Sequence, residues 1–266
     1  MKIAIIGAGN LGQSIAKGLL LHDTTKSLYL TKRNIAEISK FKKHDNVVIT
    51  TDNKEAVKQS DIIIFAVQPA HLERVLIETE PYITDTHIVI STITGYSIAK
   101  IEAVLGSKKA IIRAMPNTAI AVGKSMTCIC SNDSAEKRVD IAQLIFNKLG
   151  HSLIIPESQM QAATVVCASG VAFWMRLIRA TTQAAIQLGF DAKEAQQLAM
   201  FTSEGAASLL IKSGKHPEEE IDRVTTPQGC TIQGLNEMEH KGLSSSLIQG
   251  MVASFNKINS IKTDQL

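Results

Sequence analysis

The chain has 266 residues and a formal net charge of +3, with 45% hydrophobic, 20% charged and 4% aromatic residues. That balance excludes a disordered chain, and so few rings with so mild a charge argue against a nucleic-acid partner. The length suggests roughly two domains, or one large one.

The predicted elements begin with short apolar runs at residues 2–6, 27–30, 46–50, 62–67, 87–92, 110–114 and 153–155, each read as a strand. Amphipathic stretches at 13–21, 34–42, 54–59 and 71–79 read as helices between them. Met126, Cys128 and Cys130 alternate like one face of a half-buried strand. Isoleucine occurs 25 times in residues 1–155 and 8 times in 156–266, and β-branched residues favour strands. Strands alternating with helices predict an α/β domain with a mostly parallel sheet over 1–155.

Beyond Pro156 the pattern turns helical. Residues 158–189 form a run apolar on nearly all faces around Phe173, Trp174 and Leu177. Such a helix is expected to be buried, in its own domain or against another subunit. Asp191 to Glu194 reads as a capping box opening a helix to about residue 213, ended by Gly214. Pro217 can start another helix, with Glu218, Glu219 and Glu220 suiting its positive end. A last helix spans about 244–258, and residues 262–266 are expected to fray. Residues 156–266 therefore form an all-helical second domain.

Four cysteines, Cys128, Cys130, Cys167 and Cys230, form no CxxC pair and no zinc spacing, so no metal is expected. Cys230, opening a helix, is the thiol expected to be reactive. The apolar N-terminal run is too short for a signal sequence, and no 18-residue apolar span is read elsewhere. The expectation is a reduced, cytoplasmic protein with no membrane partner.

Gly7-Ala8-Gly9-Asn10-Leu11-Gly12 follows the first strand and opens a helix. Gly7 permits a tight turn, Gly9 lets the backbone approach a pyrophosphate, and Gly12 lets helix and strand pack closely. The helix start offers free N–H groups to phosphate at Asn10, Leu11 and Gly12. This Rossmann-type fingerprint predicts a dinucleotide cofactor. The second strand ends in Thr31-Lys32-Arg33-Asn34, with no acid for a ribose 2′-hydroxyl. Two cations and two hydrogen-bonding side chains suit a 2′-phosphate, so NADP(H) is expected, with NAD(H) the second choice. Ala66-Val67-Gln68-Pro69 follows the fourth strand, where it could border the ribose and nicotinamide, and Pro69 can begin the next helix. Asn117 ends another and could hydrogen-bond the cofactor, or equally cap a turn.

With these motifs in order, the chain resembles the pyrroline-5-carboxylate reductase family. The longest match runs from Val224 to Glu239, V-T-T-P-Q-G-C-T-I-Q-G-L-N-E-M-E, against a family pattern near V-T-S-P-G-G-T-T-I-x-G-L-x-x-L-E. Ser213-Gly214-Lys215-His216-Pro217 fits the usual approach to it. The resemblance implies NAD(P)H-dependent reduction of L-1-pyrroline-5-carboxylate to L-proline by a homodimer, often built into larger rings, with a C-terminal helical dimerisation domain. It places Thr226, Gly229, Cys230 and Thr231 around the substrate carboxylate, with Thr231 the side chain taken as catalytic. The residues themselves agree, because a loop with Pro227 and Gly229 leading into a helix over 232–239 makes an anion site. A protonated cyclic imine needs positioning more than a general acid.

The departures are Val171 and Phe173, where the family reads S-G-S-G-P-A-Y, and Gln228 and Cys230 in the anchor loop. They keep a non-catalytic NADP-binding module as one rival reading. The other is a β-hydroxyacid dehydrogenase, which shares the domain order but works through a lysine on the first helix of the second domain. From Cys167 to Arg179 there is no lysine, and Arg176 and Arg179 keep their protons at neutral pH; a surface or subunit-interface role is expected for them. The seven histidines lie outside the motifs, except His216.

Overall fold

In the computed structural model, residues 1–23 and 25–261 are described; the fraying expected at 262–266 lies outside them. Eight strands, β1 (Lys2–Ile6), β2 (Ser27–Thr31), β3 (Val47–Thr50), β4 (Ile62–Phe65), β5 (Ile88–Ser91), β6 (Ala110–Met115), β7 (Ser125–Ser131) and β8 (Gly150–Ile154), form one sheet. Their order is β3-β2-β1-β4-β5-β6-β7-β8. Every neighbouring pair is parallel except β6 and β7. The strand order reverses direction at β1 and β4, so the loops leaving those two strands diverge and open a crevice at their carboxyl ends.

The sheet is filled on both faces. Ile3 and Ile5 of β1 enter one core with Leu28 and Leu30 of β2, while Ala4 and Ile6 enter the other with Ile63 and Phe65 of β4. Successive side chains on a strand point to opposite faces, so a strand covered on both sides reads as a continuous apolar run. Helices α1 (Asn10–Leu21), α2 (Asn53–Lys58), α3 (Pro69–Thr79), α4 (Ile98–Leu105) and α5 (Val139–Asn147) connect the strands. The stretch read as an amphipathic helix at 34–42 is instead a 3-10 helix, Ile35–Lys43. Its buried residues, Ile38 and Phe41, are three apart, which matches three residues per turn. Cys128 and Cys130 are fully buried on β7 rather than half-buried.

An ion pair between a buried arginine and a half-buried glutamate ties the last part of this sheet together. Arg113 on β6 has its guanidinium 2.7 Å from the Glu157 carboxylate. The same carboxylate oxygen accepts the N–H of Ile98, the first residue of α4, at 2.7 Å.

The helical part comprises α6 (Met160–Ala163), a π-helical turn (Thr164–Ser169), α7 (Gly170–Gln187), α8 (Ala192–Ser213), α9 (Pro217–Arg223), α10 (Cys230–His240) and α11 (Leu243–Ile261). The caps are those expected. Asp191 Oδ1 accepts the N–H groups of Lys193 and Glu194 at 2.8 and 2.9 Å, Gly214 ends α8 in the left-handed region, and Pro217 opens α9. Two compact units emerge, one of Met1–Ser169 with the described residues from Lys257 on, the other Gly170–Asn256. This division falls later than the 155/156 boundary expected, inside the helical run.

One expectation about that run needs correction, and one of the two settings expected for its burial is excluded. The chain does carry an apolar span: Glu157–Gln187 is 31 residues long with mean hydropathy 1.4 in its most apolar window, long and apolar enough to cross a membrane by length and composition alone. It is also not buried within its own chain, since only 17% of that window is covered. Trp174 and Met175 are each 62% exposed, and Phe201 and Ile211 on α8 are 65% and 75% exposed. In the unit Gly170–Asn256, Ala195 and Ala199 are the buried hydrophobic residues. A helical layer with so little interior of its own leaves a large apolar surface to be covered by something else. Arg176 and Arg179 are exposed, in keeping with a surface or interface role.

Candidate active site

The glycine turn sits at the carboxyl end of β1 and is held by β2. The N–H groups of Gly7 and Ala8 donate to the Thr31 carbonyl at 3.2 and 2.7 Å, and Gly7 N–H also reaches the Thr31 hydroxyl at 3.2 Å. Gly7 has φ +96, and a Cβ there would lie 2.6 Å from Val67 Cγ1 and 2.9 Å from Val67 N, so only glycine fits. A Cβ on Gly9 would meet nothing within 4 Å, which leaves open space beside the backbone where a pyrophosphate needs to approach. Gly9 N–H turns back to the Gly7 carbonyl, and the first helical bond runs from Gln13 to Gly9. The N–H groups of Asn10, Leu11 and Gly12 therefore have no acceptor among the described residues, and they are the donors left for an anion.

In front of this turn lies a cavity of about 460 Å³ at the carboxyl ends of β1, β2 and β4. Of the residues predicted for the cofactor, Gly7, Gly9, Thr31, Lys32, Arg33, Asn34, Ala66, Val67 and Gln68 line it. Asn10, Leu11, Gly12, Pro69 and Asn117 do not. Pro69 opens α3, the helix start expected of it. Asn117 is buried and its amide is committed within the protein: Oδ1 accepts the N–H of Ala119 at 3.0 Å, and Nδ2 donates to the Cys167 carbonyl at 3.1 Å. The capping reading of Asn117 is the one its contacts fit.

The cavity also contains residues that the sequence reading missed: Glu37, Thr51, Asn53, His71 and Arg74. Glu37 changes the electrostatics. No acid ends β2, yet the 3-10 helix brings Glu37 back against Lys32, with which it forms an ion pair, and Asn34 Nδ2 donates to its carboxylate at 3.1 Å. The Lys32 ammonium, first by hydrogen bonding and then by charge, holds the Glu37 carboxyl below its usual range. Lys32 and Asn34 are thus already partnered, whereas Arg33 and Arg74 form no ion pair among the described residues.

The predicted anchor loop lies before α10. Gly229 N–H donates to the Thr226 carbonyl at 2.9 Å, closing a turn with Pro227 and Gln228 at its centre. Gln228 has φ +58, the left-handed conformation in which the family pattern places glycine. A non-glycine residue held there stores about 1–3 kcal/mol of strain. A Cβ on Gly229 would run into Thr226, so this glycine is a packing requirement. Helix α10 begins at Cys230, two residues before the start expected, with Gly229 as its N-cap and no side-chain cap. Thr226 and Cys230 are exposed and Thr231 half-buried. The hydroxyls of Thr226 and Thr231 have no hydrogen-bond partner among the described residues. Loop and helix start therefore present free donors, as an anion site requires.

Comparison with known proteins agrees with this arrangement. A family profile described as pyrroline-5-carboxylate reductase dimerisation matches residues 157–261, and one described as NADP oxidoreductase, coenzyme F420-dependent, matches residues 2–95. Pyrroline-5-carboxylate reductase 2 of Dictyostelium discoideum is 39% identical over 98% of this chain and 96% of its own length. Reductase 1 of the same organism is 43% identical over 99% of this chain, which spans 50% of that longer relative. Among solved structures, a pyrroline-5-carboxylate reductase from Coxiella burnetii superposes with TM-score 0.93 at 27% identity over 97% of both chains. The Plasmodium falciparum pyrroline carboxylate reductase, solved with NADP bound, gives 0.86 at 26% identity over 98% of both. The exposed apolar helices fall inside the dimerisation match, which accounts for them by self-association. On the glycine turn, the anchor loop and likeness along its whole length, the chain belongs to the pyrroline-5-carboxylate reductase family.

Proposed function

We propose that the protein reduces L-1-pyrroline-5-carboxylate to L-proline, the last step of proline synthesis, by hydride transfer, with NADPH preferred over NADH. The observation that carries the reading is likeness to reductases along the whole chain, covering both the glycine turn and the anchor loop. The cavity fits the cofactor, since Gly9 leaves room at the backbone and three N–H groups await an anion. When bound, NADPH supplies the hydride. The chain's own residues bind and orient. Asn10, Leu11 and Gly12 direct N–H groups at the pyrophosphate, and Arg33, with Lys32, Thr31 and Asn34 beside it, takes the 2′-phosphate. The hydroxyls of Thr226 and Thr231 and the first N–H groups of α10, at Cys230 and after it, hold the substrate carboxylate. Because the protonated imine is already electrophilic, this positioning replaces a general acid. The working form is a homodimer, and the compartment is the cytoplasm.

Glu37 supports a second reading of the cofactor alone, in which its carboxylate accepts from a ribose 2′-hydroxyl and NADH is used as well. The test is turnover by purified protein supplied with pyrroline-5-carboxylate and either cofactor, followed by absorbance of the reduced form. Turnover of the imine is expected. NADPH binding without turnover would leave a binding module, and turnover of a hydroxyacid alone would point to a dehydrogenase. Thr231→Ala should raise the KM for the imine; an unchanged KM removes the anchor assignment.

A further inference from the structure

Two thiols outside the cofactor cavity face each other. Cys128 lies on β7 and Cys167 in the π-helical turn Thr164–Ser169, and their sulfurs are 3.9 Å apart. All four cysteines are free, but their settings differ. Cys128 is buried and Cys167 half-buried, the second packed against the core that contains the first. Cys130 is buried, and its thiol is pushed up to about 11, chiefly by desolvation. Cys230 is exposed and free.

We propose that Cys128 and Cys167 form a peroxide-reactive dithiol site that closes reversibly to an intramolecular disulfide. Cys167 is the attacking sulfur and Cys128 the resolving one. The hydrogen bond from the Cys128 thiol, the largest influence on Cys167, favours its thiolate against the opposing effect of burial. The same bond, together with burial, keeps Cys128 protonated. A thiolate is the nucleophile in such chemistry.

The steps balance. The Cys167 thiolate attacks hydrogen peroxide; an S–O bond forms, the O–O bond breaks, and hydroxide leaves and takes up a proton as water. Sulfur is oxidised to a sulfenic acid and the peroxide is reduced. The Cys128 sulfur then attacks the Cys167 sulfur; the S–S bond forms, the S–O bond breaks, and hydroxide leaves with the Cys128 proton as a second water. A dithiol reductant reverses the sequence. A disulfide is about 2.05 Å long, so the sulfurs must close by about 1.8 Å from their separation of 3.9 Å. The π turn is the mobile partner in this closure, since β7 is paired on both sides by β6 and β8. The site does not depend on the reductase reading, because it uses no cofactor or substrate group.

The test is treatment of the full-length protein with hydrogen peroxide, followed by peptide mapping without reductant. The expected product is a Cys128–Cys167 cross-link within one chain, removed by dithiothreitol, with free thiols falling from the four present to two. In Cys128→Ala, Cys167 should stop at sulfenic acid, trapped by dimedone. Because that substitution is in the core, the parent-protein map stands as an independent measurement. Cross-links between chains, oxidation confined to Cys230, or peroxide consumption unchanged in Cys167→Ser would each overturn the proposal.

Discussion

Gly12 offers a direct test of how the glycine turn works, because it does not line the cavity and yet supports it. A methyl group at this position would lie 2.6 Å from the Gly7 carbonyl oxygen and 3.1 Å from Ile5 Cγ2. Ordinary contact begins near 3.4 Å, so one side must retreat by about 0.8 Å. The Gly7 oxygen cannot easily yield, since it accepts from Gly9 at 2.8 Å and its own N–H is tied to Thr31. The first turn of α1 must move instead. Overpacking of this kind costs about 1–3 kcal/mol of stability, which for a chain this long lowers Tm by about 2–4 °C per kcal/mol. The displaced turn carries the N–H groups of Asn10, Leu11 and Gly12 with it. Losing one hydrogen bond to a charged phosphate removes about 1.5–3 kcal/mol, and each 1.4 kcal/mol is about tenfold in affinity. Gly12→Ala should therefore bind NADPH roughly 10- to 100-fold more weakly by calorimetric titration. Gly205→Ala is the control, because a Cβ there meets nothing within 4 Å. Affinity in Gly12→Ala within about threefold of the parent, under half of that tenfold step, would refute the idea that the helix start positions the phosphate.

Other outcomes follow from the same geometry. Glu37→Gln, which frees Lys32 and removes a negative charge from the cavity, should lower the KM for NADPH severalfold, most at low salt; a fall in NADH use alone would instead mark Glu37 as a ribose acceptor. Phe201→Glu places a charge on an exposed apolar face and should shift the protein from dimer to monomer in sedimentation velocity; an intact dimer would show that α8 lies outside the interface. Cys167 has its thiol pKa lowered to about 7, chiefly by its hydrogen bond from Cys128. Below that pH the thiol is protonated and slow, so iodoacetamide labelling of Cys167 should rise through about pH 7 and level off above it. Cys130, pushed up to about 11, should label little over that range, and equal profiles at the two sites would remove the distinction.

The centre of the sheet was legible in the sequence because β1, β4 and β5 are buried on both faces, and 62–67 can hardly be read otherwise. The glycine turn was legible because each of its glycines has a separate local reason. What escaped the sequence arises from folding back. Glu37 reaches the cavity where the chain tightens into a 3-10 helix after Asn34, within a stretch read only as an amphipathic helix. His71 and Arg74 arrive from α3, whose start at Pro69 was visible but whose direction was not. Asn117 carried two equal readings, and only its bonds to Ala119 and Cys167 separate them. The run 158–189, apolar all round, was expected to be buried in its own domain or against another subunit, and its low cover within the chain leaves the second.

The two-sided packing of β1 has a consequence for how this sequence can change. Ile3, Ala4, Ile5 and Ile6 are all completely buried, divided between two separate cores. No position among the four is free to drift, because every substitution is felt by one interior or the other. A one-residue slip in register would exchange the two sets and put an isoleucine where an alanine fits. The segment that delivers the glycine turn thus has little mutational freedom. Variation in cofactor handling should accumulate downstream of it, after β2, where Arg33, Asn34 and Glu37 are exposed and can be exchanged without disturbing a core.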